Sequence, residues 1–204
     1  LGAKGMAGHV IYDRLVGDGH TVIGTSRFAS SYKEQGIVKF DALDVDSWFQ
    51  FFESLEVDVI VNCIGMLVKA CENNIENAVT VNTLLPYVLE ELYRGSNTQV
   101  IHISTDCVFD GEKGMYLESD WPNARDLYGR SKLLGEVDYS NSITLRTSII
   151  GHEMGSGHSL LEWFLRQTES SINGFSKAVF SGFPTVELAR IIHDYVMPEP
   201  SIHG

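Results

Sequence analysis

Apolar positions along this chain switch repeatedly between a period near 3.6 and short unbroken runs. These are the signatures of amphipathic helices and of strands buried on both faces. Ala7, Val10, Ile11 and Leu15 share one side of a first helix, which Gly17 and Gly19 stop. Thr21–Thr25 reads as a buried strand and Ile37–Phe40 as another. Ser47 stands as an N-cap with Gln50 at the capping-box position, ahead of a helix whose Trp48, Phe49, Phe52 and Leu55 read as core. Val57–Asn62 is a further strand. A long helix is predicted over 75–93, with Ala78, Val81, Leu85, Val88 and Leu92 on one face and a kink at Pro86. Val100–Ser104 and Ile143–Thr147 are strands that flank a helix carrying Tyr128 and Lys132. Leu160, Leu161, Trp163, Phe164 and Leu165 mark another helix, and Ser181–Pro184 a turn before a helix from near Thr185. Strands alternating with helices predict an α/β fold with a largely parallel, doubly wound sheet.

Several strands run directly into residues with chemistry. Tyr128 and Lys132 are four apart, so on a helix they share a face. A phenol beside an ammonium is a proton donor with an eased pKa; an exposed structural pair at that spacing is the plainer alternative. Gly2, Gly5 and Gly8 open the first helix. A glycine turn there permits close backbone approach to a phosphate, which the helix N-terminus favours. The strand that should lead into Gly2 is not in the sequence, which implies a chain beginning inside its fold. The second strand runs into Ser26-Arg27 with no acid, which suits a 2′-phosphate and so NADP(H) rather than NAD(H), unless Arg27 is a solvated surface residue. Asp44 either reaches an adenine or caps a turn. Cys63-Ile64-Gly65 are small enough to pass a bound cofactor. Asn82 either binds backbone near the site or caps the break at Pro86. His102 alternates within a strand and reads as a core histidine, whereas the Thr105 hydroxyl follows a strand's carboxyl end, on the ligand side of an open sheet.

Charge and composition narrow the class. The chain of 204 residues carries a net charge of −12 and an acidic pI of about 4.9, which argues against general nucleic-acid binding. No apolar run reaches membrane-spanning length. Cys63, Cys71 and Cys107 are odd in number and widely spaced, so they read as free thiols of a reducing, cytoplasmic setting and not as a disulfide frame or metal site.

The glycine turn, Ser104–Gly111, Tyr116–Asp120, Tyr128–Lys132 with Gly135-Glu136, Leu145–Thr147 and Phe183–Thr185 occur in an order that resembles the extended short-chain dehydrogenase/reductase family, in its dTDP-4-dehydrorhamnose reductase branch. The resemblance implies a Rossmann-type domain over 1–147. A truncated substrate-binding lobe, interleaved with it, would take most of 148–204. It implies catalysis by Thr105, Tyr128 and Lys132 on a nucleotide-linked 4-keto-6-deoxysugar. The cofactor would lie against Gly2, Gly5, Met6, Ala7 and Gly8, then Ser26, Arg27, Asp44 and Val45. It would also meet Cys63, Ile64, Gly65 and Asn82, and finally Tyr128 and Lys132. Thr105, Asp106, Val108, Phe109, Arg146 and Thr185 would face the sugar nucleotide, with no metal; a homodimer is compatible. Cys107 stands where related dehydratases carry a catalytic Glu, which counts against dehydration. An epimerase, or a non-catalytic regulatory subunit like that of methionine adenosyltransferase, shares the same pattern.

Overall fold

The computed structural model describes residues 1–28, 36–139, 141–155, 159–169 and 171–204. Every strand pairing within it is parallel. Strands β1 (Gly24–Ser26) and β2 (Ile37–Lys39) form one ladder, and β3 (Val59–Asn62), β4 (Gln99–Ile103) and β5 (Ser142–Leu145) form another in the order β3-β4-β5. The expected single sheet is therefore in two pieces. Residues 1–3 bridge them: the Leu1 amino group donates to the Val61 carbonyl (2.6 Å), Cys63 N–H to the Leu1 carbonyl (3.2 Å) and Ala3 N–H to the Thr25 carbonyl (2.8 Å). Behind this bridge a cleft of about 590 Å³ separates the ladders, lined by Val22, Thr25, Val59 and Val61. The strand anticipated over 21–25 is seen over Gly24–Ser26. A third, two-residue ladder joins β6 (Ile149–Ile150) to β7 (Phe183–Pro184), where a plain turn was expected.

Alternation along β4 supplies the two cores. Val100 and Ile60 pack on one face with Trp48 and Phe52 of α2 (Trp48–Glu53) and Leu85, Leu89 and Tyr93 of α5 (Leu85–Tyr93). Ile101 and Ile143 pack on the other with Ala7, Ile11 and Leu15 of α1 (Met6–Gly17) and Leu188, Ala189 and Ile192. The last three belong to α8 (Thr185–Ile191) and its continuation, which thereby pack on the same layer as α1. The result is helices on both faces of a parallel sheet.

Local details depart from the pattern where a specific group intervenes. The capping box at Ser47 does not form: a 3₁₀ turn (Val45–Ser47) precedes α2, and the Ser47 hydroxyl donates to the Asp44 carbonyl. Phe49 is exposed, although Trp48 and Phe52 are buried. The helix over 75–93 is continuous but not uniform. Between α4 (Ile75–Val79) and α5 lies a π turn, Thr80–Leu84. Pro86 has no N–H to give to the Asn82 carbonyl four residues back, and the wider turn absorbs that missing bond. Beyond it Leu89 and Tyr93 are buried, and Val88 and Leu92 pack against the same core while partly exposed. Helix α7 (Leu160–Leu165) forms as expected, yet buries none of its residues.

Candidate active site

The site is assembled at the carboxyl ends of β1, β3, β4 and β5. At the first, Gly2 sits at φ +76°, a left-handed conformation that glycine adopts without strain. Its N–H donates to Thr25 Oγ1 (3.1 Å), and its carbonyl accepts from Gly5 N–H (2.9 Å). A Cβ on Gly8 would stand 2.1 Å from the Gly2 carbonyl oxygen, so the third glycine is what lets α1 pack directly on the turn. The first-turn N–H groups of α1, with Met6 and Ala7 among them, have no acceptor within the helix and point out of its start. Next to this turn lies the loop after β3, since a Cβ at Gly2 would touch Ile64 at 3.0 Å. Ser26 closes β1 and is followed by an exposed Arg27 whose guanidinium lies 5.7 Å over the Phe28 ring. Asp44 and Val45 are exposed beyond β2, with the Asp44 carbonyl holding Ser47.

Thr105, Tyr128 and Lys132 converge on the end of β4. Thr105 follows that strand, is 4% exposed, and caps the Asp106–Val108 turn by accepting from Cys107 N–H (3.1 Å). Tyr128 and Lys132 project from α6 (Leu127–Leu134), which Asp126 caps through Gly129 N–H (2.9 Å). Two glycines dock this helix. A Cβ on Gly129 would stand 2.3 Å from the Cys107 carbonyl oxygen, and one on Gly135 1.9 Å from that of Asn82. Burial pushes the Tyr128 phenol up, and the neighbouring Thr105 hydroxyl pulls it back. Lys132, expected to ease it, is not among the groups that move it in the free protein. Its ammonium donates to the Ile103 carbonyl (2.7 Å) and sits 3.2 Å from His102 Nε2, and burial brings it from 10.5 down to about 8, against the opposing pull of Glu136. Among the described residues no hydrogen bond joins Tyr128 to Lys132. Gly65 flanks this lysine, because a Cβ there would lie 3.8 Å from Lys132 Nζ.

These features belong to a known family. The model of the RmlD substrate binding domain matches residues 1–195. The chain is a member of that family. It is 36% identical over 137 residues to the probable low-salt glycan biosynthesis reductase Agl14 of Haloferax volcanii, covering 66% of this chain and 46% of that protein. It is 32% identical over 136 residues to the methionine adenosyltransferase 2 subunit beta of Danio rerio, covering 66% and 41%. The solved structure of a hypothetical dTDP-4-dehydrorhamnose reductase from Sulfolobus tokodaii superposes with a TM-score of 0.79 at 32% identity, covering 96% of this chain and 70% of that one. The chain therefore spans less than half of those two curated relatives and shares the Rossmann-type fold of the family.

Within that frame, several residues expected to touch ligand also hold the site together. Asn82 is fully buried; its Oδ1 accepts from Met66 N–H (2.8 Å), and its Nδ2 donates to the Met66 carbonyl (3.1 Å) and Ser131 Oγ (3.0 Å). Of the two roles weighed for Asn82, backbone binding is the one seen: it ties the loop after β3 to α6. Val108 is fully buried, and its carbonyl accepts from Asn123 and Ala124. Thr185 is buried beneath Gly151, where a Cβ would overlap its hydroxyl at 2.2 Å. Arg146 forms a fork with Glu136, Nε to Oε1 at 3.0 Å and Nη2 to Oε2 at 2.8 Å, and Ser104 Oγ completes the carboxylate at 2.8 Å. It also lies 5.5 Å over Phe109, which stacks on Tyr116 at 4.4 Å. Phe109 thus anchors the following loop to Arg146. Asp106 stays at the site, its Oδ1 accepting from Ser148 Oγ (2.5 Å). Sequence reasoning missed the docking roles of Gly129 and Gly135, and Ser104 and Ser148. Small residues spaced around Tyr128 were the available signal.

Proposed function

We propose that this protein is an NADPH-dependent reductase of a nucleotide-linked 4-keto-6-deoxysugar in polysaccharide biosynthesis. The observation that carries the reading is the meeting of Thr105, Tyr128 and Lys132 beside a glycine turn that leaves no room for a Cβ at Gly8. That turn fits a pyrophosphate: Gly8 lets the turn pack tightly on the start of α1, whose open N–H groups and positive end then favour an anion. Arg27, exposed at the end of β1, suits a 2′-phosphate. Bound there, the reduced nicotinamide supplies hydride to the sugar carbonyl. Tyr128 then gives its phenolic proton to the developing alkoxide, and the raised phenol pKa keeps that proton in place until charge develops. Thr105 donates a hydrogen bond to the same oxygen. Lys132, anchored on the Ile103 carbonyl, supplies positive charge beside the new phenolate. Asp106 and Ser148 border the substrate side.

The likeness to a methionine adenosyltransferase subunit favours a second reading, a subunit that serves another enzyme. Among the described residues no helix is long and apolar enough to cross a membrane, and no group of acidic, His and Cys side chains is arranged to hold a metal ion. The test is consumption of NADPH, against NADH, by the intact protein with dTDP- and UDP-linked 4-keto-6-deoxyhexoses. Stoichiometric NADPH loss with one of them supports the reductase. Loss with none, alongside stable capture of methionine adenosyltransferase, establishes the subunit instead.

A further inference from the structure

A buried chain of polar groups runs behind Lys132, and its donors and acceptors can be counted. Ile64 N–H meets Asn62 Oδ1 (3.1 Å), Asn62 Nδ2 meets His102 Nδ1 (3.1 Å), and His102 Nε2 meets Lys132 Nζ (3.2 Å). Asn62 and His102 are fully buried, so water is not available to relieve a mismatch. The backbone N–H of Ile64 is a donor by constitution. The atom facing it must therefore be the Asn62 oxygen, which leaves the Asn62 NH₂ facing the ring. His102 Nδ1 must then accept, and the ring proton resides on Nε2. That proton points at Lys132. An ammonium has only donors, so it would oppose Nε2–H donor to donor; a neutral amine has a lone pair to accept it and still donates to the Ile103 carbonyl. Imidazolium is no alternative, since burial and the neighbouring lysine hold His102 well below its ordinary pKa.

We propose that His102, locked by Asn62 as its Nε2–H tautomer, is a positioning residue that favours Lys132 as a neutral amine and so sets the pH at which that lysine carries charge. The inference rests on the reductase reading for its consequence: the positive charge that helps Tyr128 release its proton is switchable rather than fixed. Other groups around Lys132 act the opposite way or not at all on this lock. Glu136, beyond the end of α6, and Cys63 and Cys71, from the loop after β3 and from α3 (Val68–Asn73), each favour the ammonium, although Glu136 is already held by Arg146 and Ser104. Tyr128 on the same helix is neutral over the working range.

The test needs no substrate, so it stands or falls apart from the reductase reading, which NADPH consumption decides. In the intact free protein, ring ¹⁵N shifts of His102 distinguish a pyrrole-like from a pyridine-like nitrogen, and the Lys132 side-chain resonances give its titration. The expected result is a protonated Nε2 with an unprotonated Nδ1. In His102→Gln the amide oxygen can turn to accept from the ammonium, and Lys132 then titrates higher by about one pH unit or more. A proton on Nδ1 in the wild type overturns the proposal whether or not the variant folds. An unmoved Lys132 titration in a folded His102→Gln protein overturns it as well.

Discussion

Replacing Lys132 with methionine isolates what it takes to bury this ammonium. The side chain is 3% exposed, and in the folded protein it gives up its proton near pH 8 instead of 10.5. The unfolded chain keeps the proton until about pH 10.4. Between these values the unfolded state binds more protons than the folded one, so stability rises with pH across that window. Below pH 8 both states are charged, and the full penalty of burying the ammonium remains. The gap corresponds to roughly 3 kcal/mol. Methionine removes the titration. It also leaves the Ile103 carbonyl without the Lys132 bond, a pH-independent loss of about 1–3 kcal/mol. That offset fixes neither sign at pH 7, but it cancels in the difference between two pH values. Urea unfolding at pH 7 and pH 10 should therefore show the wild type gaining roughly 2–3 kcal/mol on Lys132→Met. In thermal melts this is a relative shift of about 5–10 °C for a chain this size. Stability curves that stay parallel between pH 7 and pH 10 would refute the reasoning, because they would mean that Lys132 titrates alike in both states.

Four further substitutions probe how the site is held. Asn82→Ala strands the Met66 N–H and leaves the Met66 carbonyl only the weak Cys71 thiol donor, and urea unfolding should report a loss of about 1–3 kcal/mol; a change under about 0.5 kcal/mol would show that the clamp is dispensable. Gly135→Ala pushes a methyl into the Asn82 carbonyl at 1.9 Å and should lower the melting temperature, whereas Gly17→Ala, with nothing within 4 Å, should leave the stability unchanged or raise it by about 0.4–1 kcal/mol. Gly8→Ala forces the glycine turn open at the Gly2 carbonyl, and NADPH fluorescence titration should show at least about a tenfold weaker complex; unchanged affinity would remove the turn from cofactor binding.

The hydrophobic pattern exposed most of the layer order, because strands buried on both faces and helices with one apolar stripe leave different periods. It was blind where one missing atom or one polar partner redirects the chain. Pro86 was legible as a break, but its resolution into a π turn, with Leu89 and Tyr93 inward, depends on how Asn82 is held from the other side of the site. Phe49 looked like core because hydrophobicity says nothing about which residues of a short helix a neighbour covers. Thr105, Tyr128 and Lys132 were legible as a set from spacing and resemblance. The direction of the Tyr128 pKa was not, since it turns on where the Lys132 ammonium points, and two β4 groups (the Ile103 carbonyl and His102) claim it. Arg146 and Val108 were placed by their neighbours in sequence; the Glu136 fork and the core decide what they touch.

The proposed function turns on Tyr128 protonating a sugar carbonyl reduced by NADPH. The most direct measurement follows NADPH absorbance as the intact protein meets a dTDP-linked 4-keto-6-deoxyhexose, wild type beside Tyr128→Phe. Steady NADPH loss is expected in the wild type and a fall of about 10²–10⁴ in kcat in the variant, with its melting temperature little changed. Equal turnover by the two proteins would contradict it.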